Sequence, residues 1–496
     1  MQTDMPRRSA VVDLGSNSVR LVVFEGVSRN PVPIFNEKAV LRLGRGLTAT
    51  GKLNEEGVQM AMEVLSRFHA IARAMDADPF EILATAAVRD ALNGPEFVDA
   101  LRRNMPGVPI RILSGEEEAD HSAIGVMCGI PGAKGLVADV GGGSLELIRL
   151  AEDGRHDANT LPLGVIRLSD RAKGDLGVAR TLADEDIGRV KWLSQVKGNT
   201  LYLVGGAFRA LARLHIARMQ YPLNIVHYYT LGLEEAREMT GWLLHAQRRS
   251  LERLPGAPKK RLDDVPFAAT VLRRLLRKVQ PDRVVFCVDG LREGWYMLNV
   301  APDCLPQDPM DVVARDMCAR LGRSNTLPDV LCRWTDGLLP KESRQEQHLR
   351  RIACLLSDVG SHDHPEYRAE QTYWRILRMQ GVGFDHESRA WLSLALAVRY
   401  AADTNAEFLG TSRTLLSEAA WRRAIVLGQA LRLAYSLSGG TAVLLDGTAL
   451  LWQRKELVLK LVSSRVAVRG ETVGRGLARL GQALDVSTRF EADLEA

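Results

Sequence analysis

Two short segments hold the residues with the plainest chemistry. Asp13-Leu-Gly-Ser-Asn-Ser18 and Asp139-Val-Gly-Gly-Gly-Ser144 each place an aspartate at the end of an apolar run and follow it with glycines and hydroxyl residues. A turn of this composition exposes backbone N–H groups, and its hydroxyls add donors, which makes a cradle for phosphate oxygens. The aspartate can hold Mg²⁺ directly or through water, because Mg²⁺ takes few carboxylates and keeps several waters. One such segment alone is equally well a hairpin turn with a polar tip. The second sharpens the case: the glycines at 141–143 lose more chain entropy than a plain hairpin requires, and they suit a backbone that something approaches closely. The candidate phosphate donors are therefore Ser16, Asn17, Ser18, Gly141, Gly142, Gly143 and Ser144, with Asp13 and Asp139 as candidate metal ligands.

Ser114-Gly-Glu-Glu-Glu-Ala119 has the composition of a helix start. Ser114 and Glu117 have capping-box spacing, and the helix dipole favours acids at Glu116 and Glu117. Glu118 needs no such role and can project into a cleft to orient a water. Arg20, Arg89 and Arg209 are candidate phosphate clamps, since a guanidinium fork matches phosphate oxygens; each is also explained as part of a solvated face. Further basic groups, Arg248-Arg249, Lys259-Lys260-Arg261, Arg273-Arg274 and Arg277-Lys278, read as solvated helix faces or as a track for a long polyanion.

The elements that must position these residues repeat. Residues 9–26 predict a hairpin, 55–75 and 95–104 helices, 81–86 and 109–113 strands, and a helix from Ser114. Residues 135–150 repeat the opening: Asp13, Gly15, Ser18 and Leu21 recur as Asp139, Gly141, Ser144 and Leu147, displaced by 126 residues (13 to 139). Ile82-Leu-Ala-Thr-Ala-Ala-Val-Arg89 is echoed by Tyr202-Leu-Val-Gly-Gly-Ala-Phe-Arg209, so Thr85 and Gly205 occupy matching turns ahead of Arg89 and Arg209. Two ordered echoes at nearly constant offset imply two copies of one α/β unit. The second copy ends with a strand at 283–288 and a helix from Leu291. Residues 308–436 read as helical throughout, and the last segment reads as a small α+β domain with strands at 442–446, 457–462 and 465–468 and a helix at 473–484. The division is 1–125, 126–303, 304–437 and 438–496.

Composition sets outer bounds. The 496 residues carry 65 Lys+Arg against 60 Asp+Glu, and 46% are apolar. That excludes a disordered tail, a collagen-like repeat and a disulfide-stapled miniprotein, and so small a net charge argues against a nucleic-acid coat. No apolar run reaches the ~18 residues of a membrane span. Cys128, Cys287, Cys304, Cys318, Cys332 and Cys354 form no C-x-x-C pair and read as reduced core residues. The expectation is a cytoplasmic protein with no nucleic-acid or membrane partner.

With Ala84-Thr-Ala-Ala-Val-Arg89 and Gly290-Leu-Arg-Glu-Gly294, the two loops and the Glu-Glu-Ala element make an ordered set that resembles the exopolyphosphatase and guanosine-pentaphosphate phosphohydrolase (Ppx/GppA) family. The resemblance implies two actin-like, ribonuclease-H-like lobes followed by an all-α domain like the HD phosphohydrolases and a small α+β domain. It implies hydrolysis of the terminal phosphoanhydride of inorganic polyphosphate with Mg²⁺ or another divalent ion such as Mn²⁺. Glu118 then maps onto the catalytic base, Asp139 and Glu146 onto the metal site, and Asp13 onto the first loop; Arg89 is expected to bind phosphate oxygens. The nearest rival is a guanosine pentaphosphate (pppGpp) 5′-phosphohydrolase, and more distant ones are an actin-like ATPase or sugar kinase and a non-catalytic polyphosphate sensor. In the helical domain Ser357-Asp358 stands where a metal-binding His-Asp pair is expected, with His348, His362 and His364 nearby. A serine cannot replace that histidine at a metal site, so the domain is expected to be structural or a binding surface. A homodimer is the expected assembly.

Overall fold

The apolar runs on either side of Leu14-Gly-Ser-Asn17 pair as a hairpin in the computed structural model, which describes residues 7–462 and 469–493. Strand β1 (Arg8–Leu14) lies antiparallel to β2 (Ser18–Glu25), with Asp13 opposite Arg20. Strand β3 (Val32–Val40) extends the meander. The helix Glu55–Ala74 then crosses to β4 (Ala77–Ala84), parallel to β1. It starts where Asn54 accepts from the Gly57 N–H, and it buries Ala61, Leu65, Phe68 and Ala72 along one stripe. The helix Gly94–Asn104 leads to β5 (Ile110–Ile112), giving the sheet order β3-β2-β1-β4-β5.

The second sheet contains β6 (Gly135–Val140), β7 (Leu145–Ala151), β8 (Gly154–Leu161), β9 (Thr200–Val204), β10 (Thr230–Gly232) and β11 (Arg283–Phe286). Its order is β10-β11-β9-β6-β7-β8. Read from β8, the run β8-β7-β6-β9-β11 reproduces the first sheet strand for strand and direction for direction. The register repeats too, since Asp139 faces Glu146 as Asp13 faces Arg20. The two lobes are thus copies of one unit, each with its own apolar core. The helix Gly206–Arg218 follows β9 as the short helix Ala86–Asp90 follows β4.

The helix expected from Ser114 runs Gly115–Gly129 with the capping box intact: Ser114 Oγ accepts from Glu117 N at 3.1 Å and Glu117 Oε2 from Ser114 N at 2.8 Å. A division at 125/126 would fall inside this helix. It packs against the helix Leu291–Leu298, and glycines allow the approach: a Cβ on Gly294 would stand 1.8 Å from the His121 carbonyl oxygen, and one on Gly125 would stand 2.0 Å from that of Gly290. The same late helix reaches back to the first lobe. Trp295 Nε1 donates to Glu81 Oε2 at 2.6 Å, Ser28 N donates to the Tyr296 hydroxyl at 3.0 Å, and Tyr296 packs on Phe24. Both lobes fall in one compact unit, Met1–Gln307.

The other unit, Asp308–Ala496, opens with helices, as expected, at Pro309–Leu321, Leu327–Trp334, Arg344–Leu356, Arg368–Arg378, His386–Arg399 and Glu418–Ser438. The strand expected at 442–446 is instead a short helix, Ala442–Asp446. A brief apolar run fits either period, and Gly447 ends it before β12 (Thr448–Gln453) begins. Strand β13 (Glu456–Val462) and the helix Glu471–Leu484 match their expected places, while the run at 465–468 lies outside the described residues. Strand β14 (Ser487–Asp493) joins β13 in parallel to complete the order β12-β13-β14.

Gly294→Ala should therefore force the two packed helices apart and destabilise the protein by at least ~1–3 kcal/mol, the usual cost of overpacking. Gly188→Ala, at a helix end where an added Cβ meets nothing within 4 Å, should leave the melting temperature unchanged or slightly raised. Paired thermal melts check this; equal melting temperatures would contradict the packing.

Candidate active site

Strands β1 and β6 each place their aspartate at the next-to-last position, and each is followed by a loop closed by one hydrogen bond. Gly15 N donates to Ser18 O at 3.1 Å, and Gly141 N donates to Ser144 O at 3.0 Å. The loop carbonyls are tied from behind. Ser16 O accepts from Gly44 N, and Asn17 O accepts from Leu41 N and Arg42 N. Gly141 O accepts from Val165 N, and Gly142 O accepts from Ile166 N and Arg167 N at the start of the helix Val165–Arg171. The N–H groups of Ser16, Asn17, Gly142, Gly143 and Ser144 donate to no acceptor among the described residues. The loops face each other closely: a Cβ on Gly143 would lie 2.8 Å from Ser16 Oγ.

Between them lies a cleft of about 160 Å³, and every candidate site residue lines it except Arg89. Thr85 and Gly205 occupy matching turns at its floor. Gly205 has φ of +97°, and a Cβ there would stand 2.3 Å from the Val140 carbonyl, so only glycine fits.

The acids of the cleft lie close enough to act on one another. Ser122 Oγ donates to Asp139 Oδ2 at 2.5 Å, and Ser122 sits one helical turn after Glu118. Glu146 is 2% exposed, and its Oε1 has no hydrogen-bond partner among the described residues. Arg89 Nη1 donates to Glu118 Oε2 at 3.0 Å and to the Leu113 carbonyl at 2.9 Å. The guanidinium of Arg89, the residue expected to bind phosphate oxygens, holds the carboxylate of Glu118. Its counterpart Arg209 does line the cleft, with Nη1 3.4 Å from the Val288 carbonyl oxygen.

Cations line the same cleft. Arg20 and Arg209 are joined by Lys38, Arg261 and Arg292, none of which was singled out as a site residue from the sequence. Lys38 stands opposite Arg20 across β2 and β3, a register that no motif signals. Arg261 belongs to the Lys-Lys-Arg run, and Arg292 to the Gly290–Gly294 motif.

A Ppx/GppA phosphatase family model matches residues 22–300, and a model of the exopolyphosphatase C-terminal region matches 313–488. The chain belongs to the Ppx/GppA phosphatase family. It is 28% identical over 299 residues to exopolyphosphatase 1 of Mycobacterium tuberculosis, covering 58% of this chain and 86% of that one. It is 25% identical over 291 residues to exopolyphosphatase 2 of the same organism, covering 55% and 91%. A crystal structure of an exopolyphosphatase from Cytophaga hutchinsonii shares the fold with a TM-score of 0.54 at 24% identity, covering 59% of this chain and 98% of that one. An Aquifex aeolicus member of the family gives 0.50 at 23% identity, covering 59% and 97%.

In this Ppx/GppA phosphatase both the acids and the cations of the cleft are shifted from their ordinary values. Burial raises Asp13 and Asp139 above the usual carboxylate range. Burial, with the nearby charges of Glu118 and Asp139, raises Glu146 well above it. Glu118 is pushed up to about 7 by burial, with Asp139 and Asp13 adding to the rise against the pull of Arg89. Burial and the mutual repulsion of the cations push Lys38 down to about 8 and Arg20 and Arg209 down to about 10. Burial thus holds both the acids and the cations of the cleft away from their ordinary values, a pattern that clusters at functional sites.

Free-chain carboxyls lose their protons near pH ~4. Those of the cleft keep them to higher pH in the fold, so over that interval the folded protein binds more protons than the unfolded chain and stability falls as pH rises. With chelator present, the melting temperature should drop between about pH 4 and about 7. The drop should be smaller in Glu146→Gln, whose amide cannot ionise. Differential scanning calorimetry across pH checks this, and identical slopes for the two proteins would refute it.

Proposed function

We propose that the chain is an exopolyphosphatase that hydrolyses the terminal phosphoanhydride of inorganic polyphosphate and releases orthophosphate. The observation that carries this reading is one cleft lined by both N–H-bearing loops, by the acids Asp13, Glu118, Asp139 and Glu146, and by five cations, Arg20, Lys38, Arg209, Arg261 and Arg292. So many cations in one cleft suit the successive phosphates of one chain. The similarity to exopolyphosphatases 1 and 2 of Mycobacterium tuberculosis supports the same reading.

The loop N–H groups would hold the terminal phosphate, which is the positioning that phosphoryl transfer chiefly needs. Glu118 would accept the proton of the attacking water, and Arg89 would fix its carboxylate in place. The unpartnered Oε1 of Glu146 and the all-oxygen donor set fit a hard divalent ion. Asp13, Asp139 and Glu146 would hold Mg²⁺ or Mn²⁺, which when bound would neutralise phosphate oxygens. Guanosine pentaphosphate offers the same bond with a different leaving group, so the test is competition: purified protein is given polyphosphate and pppGpp together and phosphate release from each is followed. Preferential loss of pppGpp would reverse the substrate assignment, and release from neither would end the hydrolase reading.

General-base help contributes typically ~10²–10⁴-fold, so Glu118→Gln should lose that much kcat while retaining polyphosphate binding. Each neutralised phosphate releases counterions, so binding by this variant should weaken steadily with added salt. Near-normal turnover in Glu118→Gln would remove it as the base; salt-independent binding would remove the five cations as the polyphosphate contacts.

A further inference from the structure

The guanidinium that holds Glu118 is itself held from its other side. Arg89 gives Nη1 to Glu118 Oε2 at 3.0 Å and to the Leu113 carbonyl at 2.9 Å, and its Nε lies 3.3 Å from Asp90 Oδ1. The second oxygen of Asp90, Oδ2, accepts from Arg167 Nη2 at 2.6 Å. Glu118, Arg89, Asp90 and Arg167 thus form one unbroken series of alternating charge. Arg89 and Asp90 end the short helix Ala86–Asp90 of the first lobe, and Arg167 stands on the helix Val165–Arg171 of the second. Arg167 also secures the second loop, because its backbone N donates to the Gly142 carbonyl at 3.1 Å. One residue therefore ties down a phosphate loop with its backbone and, through Asp90, reaches the partner of Glu118 with its side chain.

Stability alone does not account for this series. The side chains of Arg167 and Asp90 are 20% and 34% exposed, and ion pairs that accessible add little to a fold. The internal repeat supplies a comparison. Ala210 stands where the echo would place Asp90, and Arg209, which it follows, lines the cleft. An acid follows the arginine that holds Glu118, and an alanine follows the arginine that faces the cleft. The geometry gives the reason: a guanidinium gripped at Nη1 alone can pivot, and a second grip on Nε fixes the plane of the fork.

We propose that Asp90 and Arg167 are positioning residues for phosphoanhydride hydrolysis, a role that rests on Glu118 being the base. Asp90 holds the Arg89 guanidinium in the plane that meets Glu118, and Arg167 holds Asp90 from the second lobe. The carboxylate that takes the proton of water is thereby set in place by the same residue that locks the loop binding the phosphate. Neither Asp90 nor Arg167 touches the reacting atoms. Their effect passes through Glu118, where a misplacement of roughly 1 Å can cost about 10²-fold in rate.

Asp90→Asn and Arg167→Ala are made in the full-length protein, singly and together with Glu118→Gln, and phosphate release is followed with polyphosphate and with pppGpp. Each single change should lower kcat by about tenfold to 10²-fold and leave KM nearly unchanged. Added to Glu118→Gln, neither should cost anything further, because the group they act through has gone. Arg167→Lys, which keeps the charge, should recover part of the loss. Losses that multiply with that of Glu118→Gln, or a raised KM at unchanged kcat, would overturn the proposal and leave the hydrolase reading standing. Release from neither substrate by the unaltered protein would end both. Asp90→Asn, which keeps the shape and removes the charge, decides the matter by itself if Arg167→Ala fails to fold.

Discussion

A backbone N–H can face a ligand only if the carbonyls beside it are satisfied elsewhere, and this requirement shapes the catalytic unit. In the first loop the carbonyls of Ser16 and Asn17 are taken by Gly44, Leu41 and Arg42, the chain that follows β3. In the second, those of Gly141 and Gly142 are taken by the first N–H groups of the helix Val165–Arg171, donors that a helix start leaves without intrahelical partners. The lock on the second loop is close enough that a Cβ on Gly164 would fall 2.3 Å from Ser144 N. With the oxygens held behind, both rows of N–H groups must point into one cleft. An anion site results that owes little to side chains.

Duplication supplies the symmetry, and the departures from it supply the chemistry. Equivalent positions across the hairpins hold Arg20 in one lobe and Glu146 in the other. The same position thus holds a cation in one lobe and a buried carboxylate in the other. Thr85 and Gly205 diverge because Gly205 must take a backbone conformation and a contact distance that threonine would not tolerate. Arg89 and Arg209 keep their residue type and exchange their work, one bound to Glu118 and the other facing the cleft.

Much of this was legible because the informative positions are adjacent in sequence. The hairpins, the aspartates, the glycine run and the capping box at Ser114 are local patterns, and their repetition revealed the two lobes. Strands β3 and β8 left little trace, since each lies outermost beside its hairpin and is largely exposed or half-exposed, without the apolar alternation of a half-buried strand. Lys38 was lost with β3, because only the register brings it opposite Arg20. The bond between Arg89 and Glu118 was not legible for a related reason: the two lie 29 residues apart, and a motif records that both are present without recording that they bond to each other. The run at 442–446 failed on length, being too short for its period to distinguish helix from strand.

The two units solve the same physical problem in opposite ways. Asp358 is a buried carboxylate at the place where an HD-like metal ligand was expected. Arg323 donates to it from its backbone N at 2.9 Å, from Nε at 3.0 Å and from Nη2 at 2.8 Å, and Ser361 donates as well. Burial alone would raise this acid, yet the hydrogen bonds from Arg323 and Ser361 bring it below the usual range. Ser357, in the position of the missing histidine, bonds to the Tyr435 hydroxyl and the Cys354 carbonyl. The charge is therefore settled within the chain, and a metal there would have to displace a guanidinium. Glu146 is as deeply buried, but it faces other carboxylates, keeps one oxygen without a partner and is driven upward. A carboxylate already satisfied by arginine is a structural anchor, whereas one held at such cost with no cation on it belongs to a site that is completed from outside. By that criterion the proposed metal site belongs to the lobes, and Asp358 does not offer a second one.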